Sequence, residues 1–462
     1  MKADFIDTFK VDSDKVAFDR EHRRKINYNI AKYDEAVIRG KLTYVNLPLA
    51  KIRAAHIKYK VVNNLDKYLI DFESKFTSRG GKVIWAKDAH EAIKEILLIC
   101  KKHYIKSVVK SKSMTTEEIE FNEEVKKSGV ESIETDLGEF IVQMAGQKPY
   151  HIVTPAMHLS KEDVSMLLSS KFGINAESTP EEVTAFVREL LREKFIHAGA
   201  GISGANFLIA DTGSVCVTEN EGNGLLSMSF PPVHIVIAGI EKIIPSLTDL
   251  GLYWPLLASH GTGQTMSVYN SIVSGPRKDG EIDGPLDMYV ILLDNGRSRV
   301  LADEKARQAL SCIRCGACLN ACPVYKTIGG HTYNSTYSGP IGSVITPFLK
   351  DFADFGHLSA ASSLCGKCTE VCPVNIPLHK LLLNNRNIMV KKGLIDKQWT
   401  RGIKISKMIL KSRKLMNMGG GKFKNSMARY FLKSMWGERR KFPEFQPKTF
   451  SQIWEQELKS NQ

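Results

Sequence analysis

CIRCGACLNACP, residues 312–323, places Cys312, Cys315, Cys318 and Cys322 within eleven residues and closes on Pro323. The x2, x2, x3 spacing is that of an iron–sulfur ligand run. Three neighbouring thiolates wrap one face of a cubane, and the proline turns the chain so that the fourth points to a second cluster. Four cysteines this dense fit a structural zinc site poorly. The run returns as SSLCGKCTEVCP, residues 362–373, with Cys365, Cys368 and Cys372 ahead of Pro373 but Ser362 where a first cysteine belongs. Crossed ligation therefore predicts one cluster on Cys312, Cys315, Cys318 and Cys372 and another on Cys322, Cys365 and Cys368. Two [4Fe–4S] clusters have eight iron corners, one more than seven thiolates can fill. The second cluster is then either [3Fe–4S] or completed by a non-cysteine ligand such as Ser362 or water, and an open corner there would be a Lewis-acid site.

Seven of the nine cysteines fall in these two runs, which in a reducing compartment means metal rather than disulfides. The other two, Cys100 in EILLIC and Cys216 in GSVCVTEN, lie in apolar runs and read as core residues. A chain of 462 residues can bury two or three cores without staples. Met1 to Asp14 lacks the apolar centre of a secretory signal. The longest apolar runs, near Val233–Gly239 and Tyr289–Leu293, fall far short of the ~20 residues that cross a bilayer. A cytoplasmic protein with no transmembrane segment is the expectation. The net charge is +14, but fourteen Lys and Arg between Arg401 and Lys448, against Glu438 and Glu444, supply +12 of it. Charge confined to one tail suits docking on an acidic partner or peripheral contact with an anionic membrane, and argues against nucleic acid as a partner.

Residues 1–75 are charged with apolar positions three and four apart and read as helices packed on the next domain. From Gly80 the texture changes. KVIWA, SVVKS, SIETD, HIVTP, FLIAD, SVCVT and VHIVIAG read as strands, and AHEAIKEILLICKKH, TTEEIEFNEEVKKSG and PEEVTAFVRELLREKF as helices. Such alternation predicts an α/β domain over 76–299 with a largely parallel sheet. Residues 300–395 hold both cysteine runs, with helical spacing in ADEKARQAL and VITPFLKDFADF, and 396–462 form the basic tail.

Inside the α/β stretch, glycines crowd GAGISGAN at 199–206, with ADTGS at 210–214 and ENEGN at 219–223 following. Glycines between strands let backbone N–H groups approach a polar ligand, or simply make tight turns. No P-loop and no dinucleotide fingerprint occurs. Polar candidates here are Lys110, Lys112, Glu117, Glu118, Glu134, Asp136, Glu139, His197, Glu219 and Glu221. Lys110 with Lys112 would hold a carboxylate, and Glu134, Asp136 and Glu139 would carry acid–base chemistry; a solvated surface or, for His197, a capping or core role is the plain alternative. No catalytic residue is assigned.

Forty-two residues separate Cys322 from Cys365, and YSGPIG at 337–342 lies between them. In this and in the cysteines the segment resembles the helical ferredoxin domains of succinate dehydrogenase and heterodisulfide reductase subunits. GISGANFLIADTGSVCVTENEGN, PPVHIVIAGIEKIIPSL, KSKSMTTEEI and ETDLGEF resemble the lactate utilization domain. With FPEFQPKTFSQIWEQE near the C-terminus, the chain resembles the lactate utilization protein B family over about residues 10–460. The resemblance implies a Rossmann-like domain related to sugar-phosphate isomerases and coenzyme A transferases, then an α-helical ferredoxin domain. It implies a cytoplasmic iron–sulfur subunit that, with two partners, one cysteine-rich and one carrying a related α/β domain, oxidises L-lactate to pyruvate. The family pattern carries its clusters onto Cys312, Cys315, Cys318 and Cys372, and onto Cys322, Cys365 and Cys368, both as [4Fe–4S]. The expected role is electron transfer, since two electrons leave a 2-hydroxy acid and each cluster carries one. The readings set beside it are a quinone-linked dehydrogenase subunit for glycolate or glycerol 3-phosphate, and an isomerase- or transferase-like metabolite-binding protein with redox-sensing clusters.

Overall fold

VHIVIAG and DMYVILL are apolar at nearly every position, as strands covered on both faces must be. They become neighbours in a six-stranded sheet in which every pair is parallel. The ten strands are β1 Lys82–Ala86, β2 Ser107–Lys110, β3 Glu131–Glu134, β4 Ala200–Ser203, β5 Phe207–Ile209, β6 Ser214–Glu219, β7 Val233–Gly239, β8 Ile243–Ile244, β9 Tyr269–Val273 and β10 Asp287–Leu293. The large sheet runs β1-β10-β7-β4-β2-β3, and a smaller one runs β8-β5-β6-β9. Period-two alternation splits β7 between two cores. Ile235 and Ile237 pack with Ile93 and Ile96 of helix Ala89–Lys102, whereas Val236 and Ala238 pack with Leu69, Phe72 and Phe76 of helix Leu65–Thr77. Each fully buried Ile, Val or Leu side chain contributes about 1.5–3 kcal/mol relative to exposure.

The computed structural model describes residues 5–436 and 441–460, which cluster into two units, 1–389 and 390–462. Residues 1–4 of the N-terminus read above, and 437–440 of the basic tail with Glu438, lie outside the described residues. Within the first unit the N-terminal helices pack on the α/β body: the Tyr253 hydroxyl donates to the Ala54 carbonyl at 2.9 Å, and buried Lys58 donates to the carbonyls of Glu241 and Ile243 at 2.6 and 3.1 Å. Residues 390–462 form helices over Lys397–Leu410, Arg413–Asn417, Gly421–Trp436 and Phe450–Ser460, with apolar residues such as Ile403, Met408 and Leu410 exposed. Among the described residues no helix is long and apolar enough to cross a membrane.

Three local expectations are corrected. HIVTP is a turn rather than a strand, because His151 Nδ1 accepts the backbone N–H of Val153 and of Thr154 at 3.1 and 3.2 Å and draws the chain round the imidazole. TTEEIEFNEEVKKSG is two short helices, Met114–Glu118 and Phe121–Lys127, parted by Glu120 at φ 54°. ADEKARQAL ends in a 3-10 segment, Ala306–Ser311. Cys100 and Cys216 are both buried.

Candidate metal centre and the cavity beside it

The two cysteine runs fold as near copies. Arg314 at φ 61° and Gly316 at φ 79° lead into helix Ala317–Asn320, and Leu364 at φ 55° and Gly366 at φ 82° lead into helix Lys367–Glu370. Left-handed backbone at the residue before Cys315 and before Cys365 curls each loop back on itself. In the first loop the Arg314 N–H donates to Cys312 Sγ at 3.4 Å, and in the second the Leu364 N–H donates to Ser362 Oγ at 3.1 Å. The serine hydroxyl thus occupies the hydrogen-bonding place that a ligand sulfur holds in the copy. The Ile376 N–H donates to Cys372 Sγ at 3.4 Å.

Cys312, Cys315, Cys318 and Cys372 line one small cavity, walled by apolar side chains such as Ile152, Ile341 and Val374. Burial pushes the Cys315 thiol up, and Cys372 and Cys312 add to the shift. Cys318 is raised well above its ordinary value by burial and then by Cys312, Cys315 and Cys372. Burial holds Cys372 at about 11. In the other group burial raises Cys322, with Cys365 adding, and holds Cys368 at about 11, with Cys322 and Cys365 adding. Mutual repulsion of this kind runs within each group of thiols. Buried thiols so reluctant to ionise are poor nucleophiles, and a metal that displaces their protons is what makes them thiolates. Among the described residues no three His, Cys, Asp or Glu could hold a single ion. Four thiols round one cavity suit a polynuclear group. Cys365 is exposed, and the Lys367 N–H draws its thiol below the ordinary value.

A second cavity, about 450 Å³, opens at the carboxyl ends of the parallel strands. Lys112 and Ser113 follow β2, Asp136 follows β3, Asn206 follows β4, Lys242 follows β7, and Arg314 and Cys315 reach it from the first cysteine loop. The chain steps outward from β2 to β3 and then returns to lay β4 on the other side of β2, so the strand order reverses at this point. Open α/β sheets bind ligands at such reversals. Lys112 Nζ donates to Asp136 Oδ2 at 3.0 Å and to the Val153 carbonyl at 3.1 Å. Burial pushes Glu219 and Glu221 up, although Glu219 accepts the N–H of Gly224 and of Leu225 at 2.7 Å. Burial, and then repulsion from Arg314, hold Lys242 down at about 8. Behind this cavity Arg314 Nη2 donates to Glu241 Oε1 at 3.2 Å, and its guanidinium sits 4.6 Å from the centre of the Tyr337 ring. Burial alone would raise Glu241, but Arg297 and Arg314 outweigh it and hold the carboxyl at about 2. Glu241 and Arg297 lie over Gly239, where a Cβ would collide with both.

Comparison with known proteins finds two family matches along the chain. The LUD domain family matches residues 69–293, and the 4Fe-4S dicluster domain matches residues 308–376, a span that takes in all seven clustered cysteines. An Escherichia coli K12 protein described as the uncharacterized electron transport protein YkgF is 44% identical over 76% of this chain and 74% of its own. Lactate utilization protein B of Bacillus cereus AH820 is 46% identical over 73% of this chain and 71% of its own. The chain belongs to the lactate utilization protein B family. A solved structure of a DUF162 family protein from Deinococcus radiodurans covers 50% of this chain and 98% of its own at 14% identity and a TM-score of 0.29, a likeness too distant to bear on the site. As in the 4Fe-4S dicluster domain that it contains, the cofactors of this lactate utilization protein B family member are iron–sulfur clusters.

The polar candidates of the family's α/β domain separate into three places. Lys110, Glu117, Glu134 and Glu139 form a buried group, with Lys110 Nζ 2.9, 3.3 and 3.4 Å from Glu134, Glu117 and Glu139. Burial opposes the Lys110 charge, but the three carboxylates outweigh it and hold the ammonium well above its ordinary value. Glu139 is raised well above the carboxylate range, by burial first and then by Glu134 and Glu117 against Lys110. Lys112, Asp136, Glu219 and Glu221 line the carboxyl-end cavity instead, so Lys110 and Lys112 do not share a ligand. Glu118 is tied to Arg297, and His197 stands on the surface against Glu193 at 3.2 Å. Arg314 and Lys242 escaped the sequence reading because one passes for a spacer between cysteines and the other for a strand end. Their signal is positional: a lone charge between ligand cysteines, and a charge directly beyond a fully apolar parallel strand.

Proposed function

We propose that the chain is the iron–sulfur electron-transfer subunit of a cytoplasmic complex that oxidises L-lactate to pyruvate. The observation that carries this reading is the placement of the thiols: one group, with Cys315, Cys318 and Cys372 buried, lies beside the carboxyl-end cavity, and the other reaches the surface at Cys365. The names of the relatives, lactate utilization protein B and an electron transport protein, support it. When bound, iron–sulfur clusters supply one-electron carriers, so a two-electron oxidation calls for two in series.

In this reading Cys312, Cys315, Cys318 and Cys372 hold the inner cluster. Ile152 and Ile341 keep water from it, and the Arg314 and Ile376 N–H groups orient two of its sulfurs. Cys322, Cys365 and Cys368 hold the outer cluster, with Ser362 as its fourth ligand. The domain division is 1–75, 76–299, 300–395 and 396–462. The partners are a cysteine-rich subunit and one with a related α/β domain, docked through the exposed Cys365 region and the basic tail; the tail touching an anionic membrane is the competing account.

The test is the anaerobically co-purified complex. L-lactate should reduce the clusters of this chain, and glycolate and glycerol 3-phosphate should not. Reduction by either of the latter and not by L-lactate would replace the substrate. Turnover of a metabolite by this chain with its clusters unchanged would replace electron transfer altogether.

A further inference from the structure

The geometry points to a binding site for a small 2-hydroxy monocarboxylate in this chain's own α/β body, its carboxylate held by Lys242 and Arg314 at the carboxyl-end cavity. The inference rests on the lactate-oxidising reading above and adds where the substrate sits. Its first support is unspent cationic capacity. Arg314 is nine-tenths buried and spends Nη2 on Glu241, while its Nη1 is buried without a hydrogen-bond partner. Lys242 lines the same cavity and has no hydrogen bond or ion pair among the described residues, whereas Lys112 across the cavity is already engaged by Asp136. A buried donor left without an acceptor is costly, and a carboxylate accepting from both groups removes that cost.

The second support is place. The cavity lies at the reversal of strand order, where β2 and β4 run side by side with Lys110 opposite Ile202. The lining elements come from the ends of four neighbouring strands, as in sites built to order a ligand. The third is charge balance. Asp136, Glu219 and Glu221 line the space together with Lys112, which Asp136 already pairs, so Lys242 and Arg314 are the cations left for a monoanion. Ser113 and Asn206 on the same wall offer hydrogen-bonding partners to a 2-hydroxyl. Cys315 lines both this cavity and the inner thiol cavity, so a ligand here abuts the inner cluster.

The test uses the full chain with both clusters, purified anaerobically and checked for iron, and titrated calorimetrically with L-lactate, propionate and inorganic phosphate. L-lactate should bind, propionate more weakly for want of the hydroxyl, and phosphate should not compete. Lys242→Gln should weaken L-lactate by about tenfold or more, with iron content unchanged and partial recovery in Lys242→Arg. L-lactate should also perturb the electron paramagnetic resonance signal of the inner cluster and leave the outer one alone. The inference is overturned if the loaded chain binds no L-lactate, if phosphate binds and L-lactate does not displace it, or if Lys242→Gln alters the inner cluster's signal while affinity stays the same, since the lysine then serves the cluster. A complex that still reduces its clusters with L-lactate while this chain alone binds none would leave the electron-transfer reading standing and remove only the site. Binding without any lactate-dependent reduction in the complex would do the reverse.

Discussion

Arg297 grips Glu118 through two parallel hydrogen bonds of 2.8 Å, Nη1 to Oε1 and Nη2 to Oε2, with both side chains almost wholly buried. The same guanidinium turns its Nε to Glu241, which in turn receives Arg314, and the Tyr337 hydroxyl donates to Glu118 at 2.6 Å. One chain of charge-assisted bonds therefore joins the ends of β7 and β10 to the first cysteine loop. Truncating a partner in such a network strands a buried charge, which costs about 3–5 kcal/mol. Arg297→Met should lower the urea midpoint of the loaded protein accordingly, and a midpoint within error of wild type would show that the network is not under load.

Cys372→Ala should damage the cluster on Cys312, Cys315 and Cys318, whereas Cys322→Ala should damage the cluster on Cys365 and Cys368. Wild-type protein should hold about seven or eight irons per chain. Electron paramagnetic resonance of the two variants tells the clusters apart, and loss of the same signal in both would disprove the crossing.

Ser362 presents its oxygen where the first loop presents sulfur. Ser362→Cys should keep four irons in the outer cluster and shift its reduction potential, and Ser362→Ala should favour a three-iron form. Identical spectra in wild type and Ser362→Ala would mean that the hydroxyl is not a ligand.

His234 is fully buried on β7, with a 2.8 Å hydrogen bond between its Nε2 and the Ser203 hydroxyl, and burial lowers it to about 3. An unfolded histidine takes its proton near pH 6.5. Below that pH the unfolded chain binds a proton that the folded one refuses, so stability falls as pH drops from about 6.5 toward 3, by about 1.4 kcal/mol per pH unit for this group. The stability gap between wild type and His234→Gln should narrow steadily from pH 7 to pH 5. A constant gap would place the histidine outside the acid response.

Deleting residues 401–462 should leave both clusters assembled, because all seven clustered cysteines precede that point. It should abolish salt-sensitive co-purification with partner subunits, since exposed apolar residues such as Ile403, Met408 and Leu410 alternate with Lys404 and Lys407 on a helix suited to docking on an acidic face. A truncated chain that keeps its partners but no longer sediments with anionic vesicles would instead favour the membrane account.

The parallel sheet was legible through strands such as β7, which is covered on both faces and so must be apolar throughout, whereas β10 stood in the sequence only as an apolar run. The cysteine spacing revealed the cluster loops for a similarly local reason. β4 was missed inside GAGISGAN, since Gly201 weakens the strand signal; a glycine is needed there because a Cβ would run into the Ser227 carbonyl, which comes from far along the chain. HIVTP misled because β-branched residues were outvoted by one imidazole accepting two backbone N–H groups. The cavity pairing of Lys242 with Arg314 spans seventy-two positions and depends on where two loops meet, which no local pattern records.

The proposed crossing of Cys322 and Cys372 also bears on the forty-two residues between the runs. Two metal-mediated cross-links would close that connector into a ring, doing for it what disulfides do for a small secreted domain. Closing a loop of this length once removes about 4 kcal/mol of unfolded-chain entropy. Chelating the iron should therefore loosen more than the cysteine loops. Helix Gly339–Leu349, buried along its whole length inside the ring, should begin to exchange its amide protons, while β7 and β10, outside it, stay protected.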